Sequence, residues 1–168
     1  MVNRKGASVM VSYALIVGVV ITAIMIVLRI ATPILGSSRD VAQVQQAQDV
    51  LTEFESRINE VASFGKGTSV SVSYSLSQGR YQFSPDNDTL YYEIDSTANI
   101  ISKNVHRMIG PVNMSRGNNS IVRLAVDFSD TQIDLRGQRM DVGSGFYDAS
   151  FRNNGTTSGR TQVEVSLR

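Results

Sequence analysis

The chain has 168 residues, a formal net charge of +1 and no cysteine. The near-neutral charge gives no strong field for nucleic acid, and the missing thiols exclude disulfides, thiolate metal sites and a cysteine nucleophile. Outside one apolar stretch about 130 residues remain, enough for one domain with its own core.

The apolar stretch runs from Ala7 to Leu28 and contains no charged residue. Arg4 and Lys5 precede it and Arg29 follows it. A helix of about twenty apolar residues crosses the hydrocarbon layer of a bilayer. In water, a helix that is apolar all round must be buried on every side. The stretch therefore predicts a membrane helix or a helix at the centre of a bundle of identical helices.

A basic pair and a glycine, Arg4-Lys5-Gly6, stand directly before this stretch. This arrangement resembles the class III signal peptide of archaeal type IV pilins and archaellins. In that family a prepilin peptidase cuts after the glycine, and the freed helix leaves the membrane and packs into a filament core. The resemblance implies a leader peptide at 1–6, a cut between Gly6 and Ala7, and a secretion and assembly ATPase machinery as partner.

The resemblance covers about the first 35 residues as sequence and the rest only as layout. Bacterial pilins usually carry a glutamate five residues after the cut, where Val11 stands, so the resemblance is to archaeal members. If no cut occurs, the same stretch predicts an uncleaved signal anchor with its C-terminal domain outside the cell. Arg4 and Lys5 inside, against Arg29 and Arg39 outside, give this topology weak support.

The predicted long helix spans 7–64 and has two parts. The first, 7–35, belongs to the membrane or filament core, with a kink or break expected near Pro33, which cannot donate an intrahelical hydrogen bond. Ser37 or Ser38 could then cap a restarted helix.

The second part, 41–64, is amphipathic. Its apolar stripe is spaced by three and four residues and predicts a surface that covers the sheet of its own domain, although part of it could also face neighbouring subunits. The stripe consists of Val44, Ala47, Leu51, Phe54, Ile58 and Val61. Gly65 and Gly67 are predicted to end the helix, with Gly65 as the C′ residue.

From residue 65 to 168 the apolar pattern has a period of two, which indicates strands. Strands are predicted over 68–76, around Tyr81 and Phe83, and over 90–94, 121–128, 132–135, 146–151 and 161–167, with a strand favoured over 99–109. Turns are predicted at 78–79, 84–88 and 153–155, and a loop over 111–119. The prediction is an α+β fold: a long N-terminal hydrophobic helix followed by an antiparallel Ig-like β-sandwich of about seven strands.

The sequence gives no positive support for an enzyme. His106 is the only histidine, and no Gly-x-Ser-x-Gly elbow is present. The segment 86–88, Asp-Asn-Asp, lacks the glycine and distal glutamate of a calcium loop and is interpreted as a turn. The segment 143–145, Gly-Ser-Gly, lacks the lysine of a phosphate loop. We therefore predict no catalytic, cofactor or metal site.

Four asparagines lie in N-glycosylation sequons: Asn87, Asn113, Asn118 and Asn154. All four fall in predicted turns or loops after residue 80, where a glycan could project into solvent. The alternative is that they are ordinary turn asparagines. If modified, they would place this domain outside the cell.

Small residues at Ala14, Gly18 and Ala23 would let neighbouring helices approach closely, or are ordinary content of a membrane helix. The favoured hypothesis is a structural subunit of an archaeal type IV pilus-like filament at the cell surface. It would be a homopolymer with a membrane-inserted precursor, its apolar helices forming the core and its β domains the sheath, and it would serve adhesion or motility. Archaellins usually have a glycine- and alanine-rich start that this chain lacks, which favours a pilus. The alternative is a membrane-anchored extracellular binding module, similar to an archaellum stator subunit, that does not polymerise.

Overall fold

The computed structural model describes residues 4–96, 98, 100–117 and 120–168, with the backbone alone described for 4–10. The described residues form one long helix, α1, followed by strands. The chain divides into two compact units, with the boundary between Arg39 and Asp40. The second unit therefore contains the amphipathic end of the helix as well as the strands.

Helix α1 spans Arg4–Ser63 without an interruption. Of the kink or break predicted near Pro33, the break is wrong and the kink stays a prediction. The proline removes the hydrogen bond to the Arg29 carbonyl, and the helix continues despite this single loss. Nor does a cap restart the helix. Residues 37 and 38 are helical, and the Ser37 hydroxyl donates to the Ile34 carbonyl at 3.0 Å.

Helix α1 ends at Ser63, one residue before the predicted Phe64, but Gly65 does not cap it. The backbone takes a positive φ at Gly67 (96°) and not at Gly65. Carbonyl groups at the helix end accept hydrogen bonds from a side chain that is distant in sequence. The Nδ2 of Asn153 donates to the carbonyl of Val61 at 3.0 Å and to that of Phe64 at 2.8 Å. A local glycine cap is therefore not needed.

The described part of the head contains ten strands in two sheets. They are β1 (Ser69–Leu76), β2 (Arg80–Ser84), β3 (Thr89–Asp95), β4 (His106–Ile109), β5 (Val112–Arg116), β6 (Ile121–Asp127), β7 (Ile133–Arg136), β8 (Met140–Val142), β9 (Gly145–Thr157) and β10 (Arg160–Leu167). One sheet has the order β1-β9-β10-β7 and the other β4-β5-β6-β3-β2-β8. Strands β7 and β10 pair in parallel, and the other described pairs are antiparallel. The predicted α+β class, a long apolar helix followed by a sandwich-like head, is confirmed.

The amphipathic part of α1 supplies one wall of the head's core. Its six predicted stripe residues are at most 2% exposed. The ring of Phe54 lies 5.2 Å from that of Tyr74 on β1, 6.0 Å from Tyr81 on β2 and 5.4 Å from Phe151 on β9. One helix residue thus packs against strands of both sheets. The prediction that the stripe covers the helix's own domain is confirmed.

Several strand predictions are also confirmed, among them β1, β6 and the β2–β3 hairpin. The predicted loop over 111–119 is wrong where it meets β5, whose Val112 and Met114 alternate into the core. Within the predicted strand over 99–109, only His106–Ile109 forms one, and Asn99 lies outside the described residues. Strand β8 has just three residues, too few for a periodic pattern to show.

The predicted turn at 153–155 is also wrong, because all three residues lie inside β9. Gly155 pairs with Gln162, and Asn153 pairs with the next residue of β10, Val163. Strand β9 therefore carries one extra, unpaired residue, Asn154. This is a β-bulge, and Gly155 supplies the positive φ of 102° at it. Asparagine and glycine favour bulges and turns for the same backbone reason, which explains the error.

Candidate assembly interface on the N-terminal helix

The first unit presents an apolar surface with no partner among the described residues. Sixteen large apolar side chains between Val11 and Leu35 are exposed, each by between 47% and 70% of its surface. By length and composition the helix can cross a membrane, and its most apolar window is unburied. A helix in the core of a globular domain would be mostly buried, so this exposed helix fits a membrane anchor or a signal sequence.

One face of this surface carries a shallow apolar groove. It has a volume of 480 Å³ and is lined by Leu15, Gly18, Val19, Thr22, Ala23 and Ile26. Gly18 has no side chain and therefore forms the floor of this lining, and a Cβ atom added there would meet nothing within 4 Å. The structure therefore brings together two of the three predicted small residues, Gly18 and Ala23. The third, Ala14, is exposed one helical turn before Gly18 and is not part of the lining.

Two hydroxyl groups in the apolar part of α1 are satisfied within the helix. The Thr22 hydroxyl donates to the Gly18 carbonyl at 2.8 Å, and the Thr32 hydroxyl donates to the Leu28 carbonyl at 2.7 Å. Such bonds remove the need for water, which suits a helix in a dry environment. Sequence reasoning overlooked Thr22, although Ala14, Gly18 and Thr22 follow one another at intervals of four.

The predicted cleavage residues, Arg4, Lys5, Gly6 and Ala7, lie at the very start of α1, which begins at Arg4. The structure describes only their backbone. The leader and the apolar helix are thus continuous, and a cut after Gly6 would remove the first three described residues of the helix.

The four sequons do not share one environment. Asn87 is exposed on the short 3-10 helix Pro85–Asn87, as the turn prediction requires. Asn113 and Asn154 lie in β5 and β9, so the prediction that all four lie in turns is wrong. Asn154 is exposed and donates to Glu164 Oε2 at 3.1 Å, while Asn113 is half-buried. Asn118 lies outside the described residues.

The Asp-Asn-Asp segment serves the fold. Asp88 follows the 3-10 helix with a positive φ of 49°. Its Oδ1 accepts from the Leu135 amide and its Oδ2 from Arg160 Nη2, both at 2.8 Å. Asp88 thereby ties the β2–β3 turn to β7 and to the start of β10, which agrees with its interpretation as a structural turn.

No group of three or more His, Asp or Glu side chains placed to hold a metal occurs within the described ranges. His106 is exposed on β4, opposite Ser115 of β5.

Comparison with known proteins places the chain in one family. The model of the family described as "Family of unknown function (DUF7289)" matches residues 5–125, most of the chain, and the protein belongs to this family. No curated protein and no solved structure matches it.

Proposed function

We propose that this DUF7289 protein is a structural subunit of an archaeal type IV pilus-like filament at the cell surface. The apolar helices of many copies would pack into the core and the β heads would form the outer sheath. Before assembly each copy would be held in the membrane by residues 7–35. Adhesion or motility would then be a property of the whole assembly.

The observation that carries the proposal is the exposed apolar surface between Val11 and Leu35. The second unit has a complete core of its own, so these side chains are not needed for the head to fold. Burying the exposed part of one of these side chains contributes on the order of 1 kcal/mol. A membrane provides this for the precursor, and a bundle of identical helices provides it for a filament.

The second support is the order of features along the helix. The basic pair and glycine precede the apolar segment, and the groove with Gly18 at its floor lies within it. Helices approach most closely where one of them lacks a side chain. A groove floored by glycine therefore offers a neighbouring helix a place to pack.

Processing is tested by the mature N-terminus of material sheared from cells. Intact mass and N-terminal sequencing should show a chain that begins at Ala7. The variant Gly6→Val should keep residues 1–6 and stay in the membrane fraction. Gly143→Val is a matched control, because a Cβ atom at Gly143 meets nothing within 4 Å and the residue lies far from the cut in sequence.

Electron microscopy of the same cells tests polymerisation. Filaments that contain the processed chain are the expected result. A chain that keeps its first six residues, remains in the membrane and forms no filament would refute the proposal and support the membrane-anchored binding module instead.

A further inference from the structure

We propose that the loop after α1 docks into an acidic groove on the head of a second copy, forming a head-to-tail contact between subunits. The loop, residues 64–67, is here named the helix-end loop. The groove lies between the polar face of α1 and the tip of the β4–β5 hairpin. The inference rests on the proposed function, because it names the contact that would link neighbouring heads in the filament.

The helix-end loop presents an aromatic and a cationic side chain to solvent. Phe64 is 55% exposed, and Lys66 is also exposed. Within the described residues Lys66 forms no ion pair. The exposed ring of Phe64 is costly to leave in water, and aromatic side chains are enriched at protein interfaces. The ammonium group of Lys66 is well solvated, and beside the ring it can direct the loop towards a carboxylate on a partner.

Hydrogen bonds to Asn153 fix the backbone of the loop, and Phe64 is exposed in this fixed conformation. Asn153 fixes the Phe64 carbonyl through its side chain at 2.8 Å. The backbone carbonyl of Asn153 accepts from the Gly67 amide at 2.8 Å, and the backbone amide of Asn153 donates to the Thr68 carbonyl at 2.9 Å. A preorganised loop loses little conformational entropy when it binds.

The groove has a volume of 570 Å³ and two walls of different chemistry. Asp49 and Glu53 stand on the α1 wall, one turn apart. Ile109, Gly110 and Pro111 form the other wall at the hairpin tip. The groove thus offers negative charge on one side and an apolar surface on the other.

The charges in the groove leave one carboxylate available. Arg57 is already held by Glu60 at 2.8 Å and, more weakly, by Glu53 at 3.6 Å. Asp49 is exposed and, within the described part of the chain, makes no ion pair or hydrogen bond. Lys66 of another copy would meet Asp49, while Phe64 would lie against the hairpin tip.

The loop cannot reach the groove of its own chain. Asp49 and Phe64 are separated by 15 residues of sequence. At 1.5 Å per helical residue this is about 22 Å along a helix whose far end is pinned by Asn153. The loop that fills the groove therefore belongs to a second copy. A contact between two different patches repeats from copy to copy and generates an open polymer unless the rotation closes a ring.

Charge reversal in the full-length protein tests the contact. Lys66→Glu or Asp49→Lys alone should lower the yield of sheared filaments by at least about tenfold. The double variant should restore the yield to within about twofold of the wild type, because the ion pair is re-formed with opposite polarity. Lys103→Glu and Asp130→Lys are matched controls, since both residues are exposed and lie outside the two patches.

A cross-link gives an independent readout, because the natural chain has no cysteine. Asp49→Cys with Lys66→Cys should produce a ladder of disulfide-linked oligomers, both in filaments and in concentrated full-length protein in detergent, and each single variant should give at most dimers. Wild-type filaments without a ladder, or single reversals that assemble as well as the controls, would overturn the docking contact and leave the filament proposal standing. If the wild type forms no filaments, the filament proposal fails, and the detergent ladder still decides whether the heads dock.

Discussion

Replacement of Asn153 should destabilise the head, because its buried side chain holds the end of α1. Asn153 is 3% exposed and lies in β9, and its amide group joins that strand to the end of α1. Nδ2 donates to the carbonyls of Val61 and Phe64, and Oδ1 accepts from the Gly155 amide at 2.7 Å. Asn153→Ala leaves three backbone groups without these partners.

The expected cost follows from the number of bonds lost. A net contribution of about 1 kcal/mol for each bond gives a loss of about 3 kcal/mol in the free energy of unfolding. For a unit of this size, that corresponds to a fall of roughly 10 °C in Tm. Asn153→Asp is a sharper probe, since it keeps the acceptor but sets a carboxylate against two carbonyls at the negative end of the helix dipole. Its cost should shrink at a pH below about 4, where the carboxyl group is protonated.

The measurement is urea and thermal unfolding of the full chain in detergent, with circular dichroism as the signal. Asn154→Ala is the matched control, because the neighbouring Asn154 is exposed and makes a single side-chain bond, to Glu164. The control should change the stability by no more than about 0.5 kcal/mol. Equal midpoints for Asn153→Ala and Asn154→Ala would show that the Asn153 amide does not hold the helix end.

Three further predictions concern other parts of the molecule. Asp88→Ala should cost about 2–3 kcal/mol in the free energy of unfolding, because it leaves the buried Leu135 amide without its acceptor, removes the ion pair of Arg160 and puts an alanine at a positive φ. Arg160 keeps the Phe128 and Ile133 carbonyls as acceptors. Asp88→Asn, which tolerates the positive φ, should cost less in the same urea titration. Burial raises the pKa of Tyr74, so stability should be full below pH 10, where the unfolded tyrosine ionises, and should then fall by about 1.4 kcal/mol per pH unit. Tyr74→Phe should remove the contribution of Tyr74 to the fall in the free energy of unfolding between pH 8 and 11. The same dependence on pH in the variant and the wild type would contradict this prediction. Gly18→Leu should abolish filaments in micrographs while leaving the Tm of the head unchanged. Gly36→Leu is the control and should leave filaments intact, because Gly36 lies outside the groove and a Cβ atom there also meets nothing within 4 Å.

Local periodicity predicted the parts of the fold that depend on one element and its nearest neighbours. The spacing of three and four from Val44 to Val61 identified the buried stripe, because a helix brings those positions to one side. Alternation identified β1 and β6, where every second residue is buried from Val72 to Leu76 and from Val122 to Val126. Val112 and Met114 carried the same signal in β5, but the adjacent Pro111 and the glycines nearby outweighed it.

Contacts between residues distant in sequence could not be predicted in this way. Asn153 fastens a helix end 92 residues earlier, and Arg160 binds a carboxylate 72 residues earlier. Nothing near Asn153 distinguishes it from a turn asparagine, because the use of its amide depends on where α1 ends in space. Likewise, the sequence did not show that Phe64, three residues after the last member of the buried stripe, stays exposed.

The division of the chain at Asp40 makes assembly and folding separable by experiment. The core cluster of the head begins at Val44 and contains no residue of the first unit. Substitutions between Val11 and Leu35 should therefore leave the unfolding of the head unchanged, and a loss of filaments in such variants can be assigned to contacts between copies or with the membrane. Substitutions of core residues such as Phe54 act through stability and cannot be interpreted in this way. The helix-end loop and the acidic groove belong to the head but are exposed, so their charge reversals should change assembly at constant Tm, and this combination distinguishes a docking surface from a structural one.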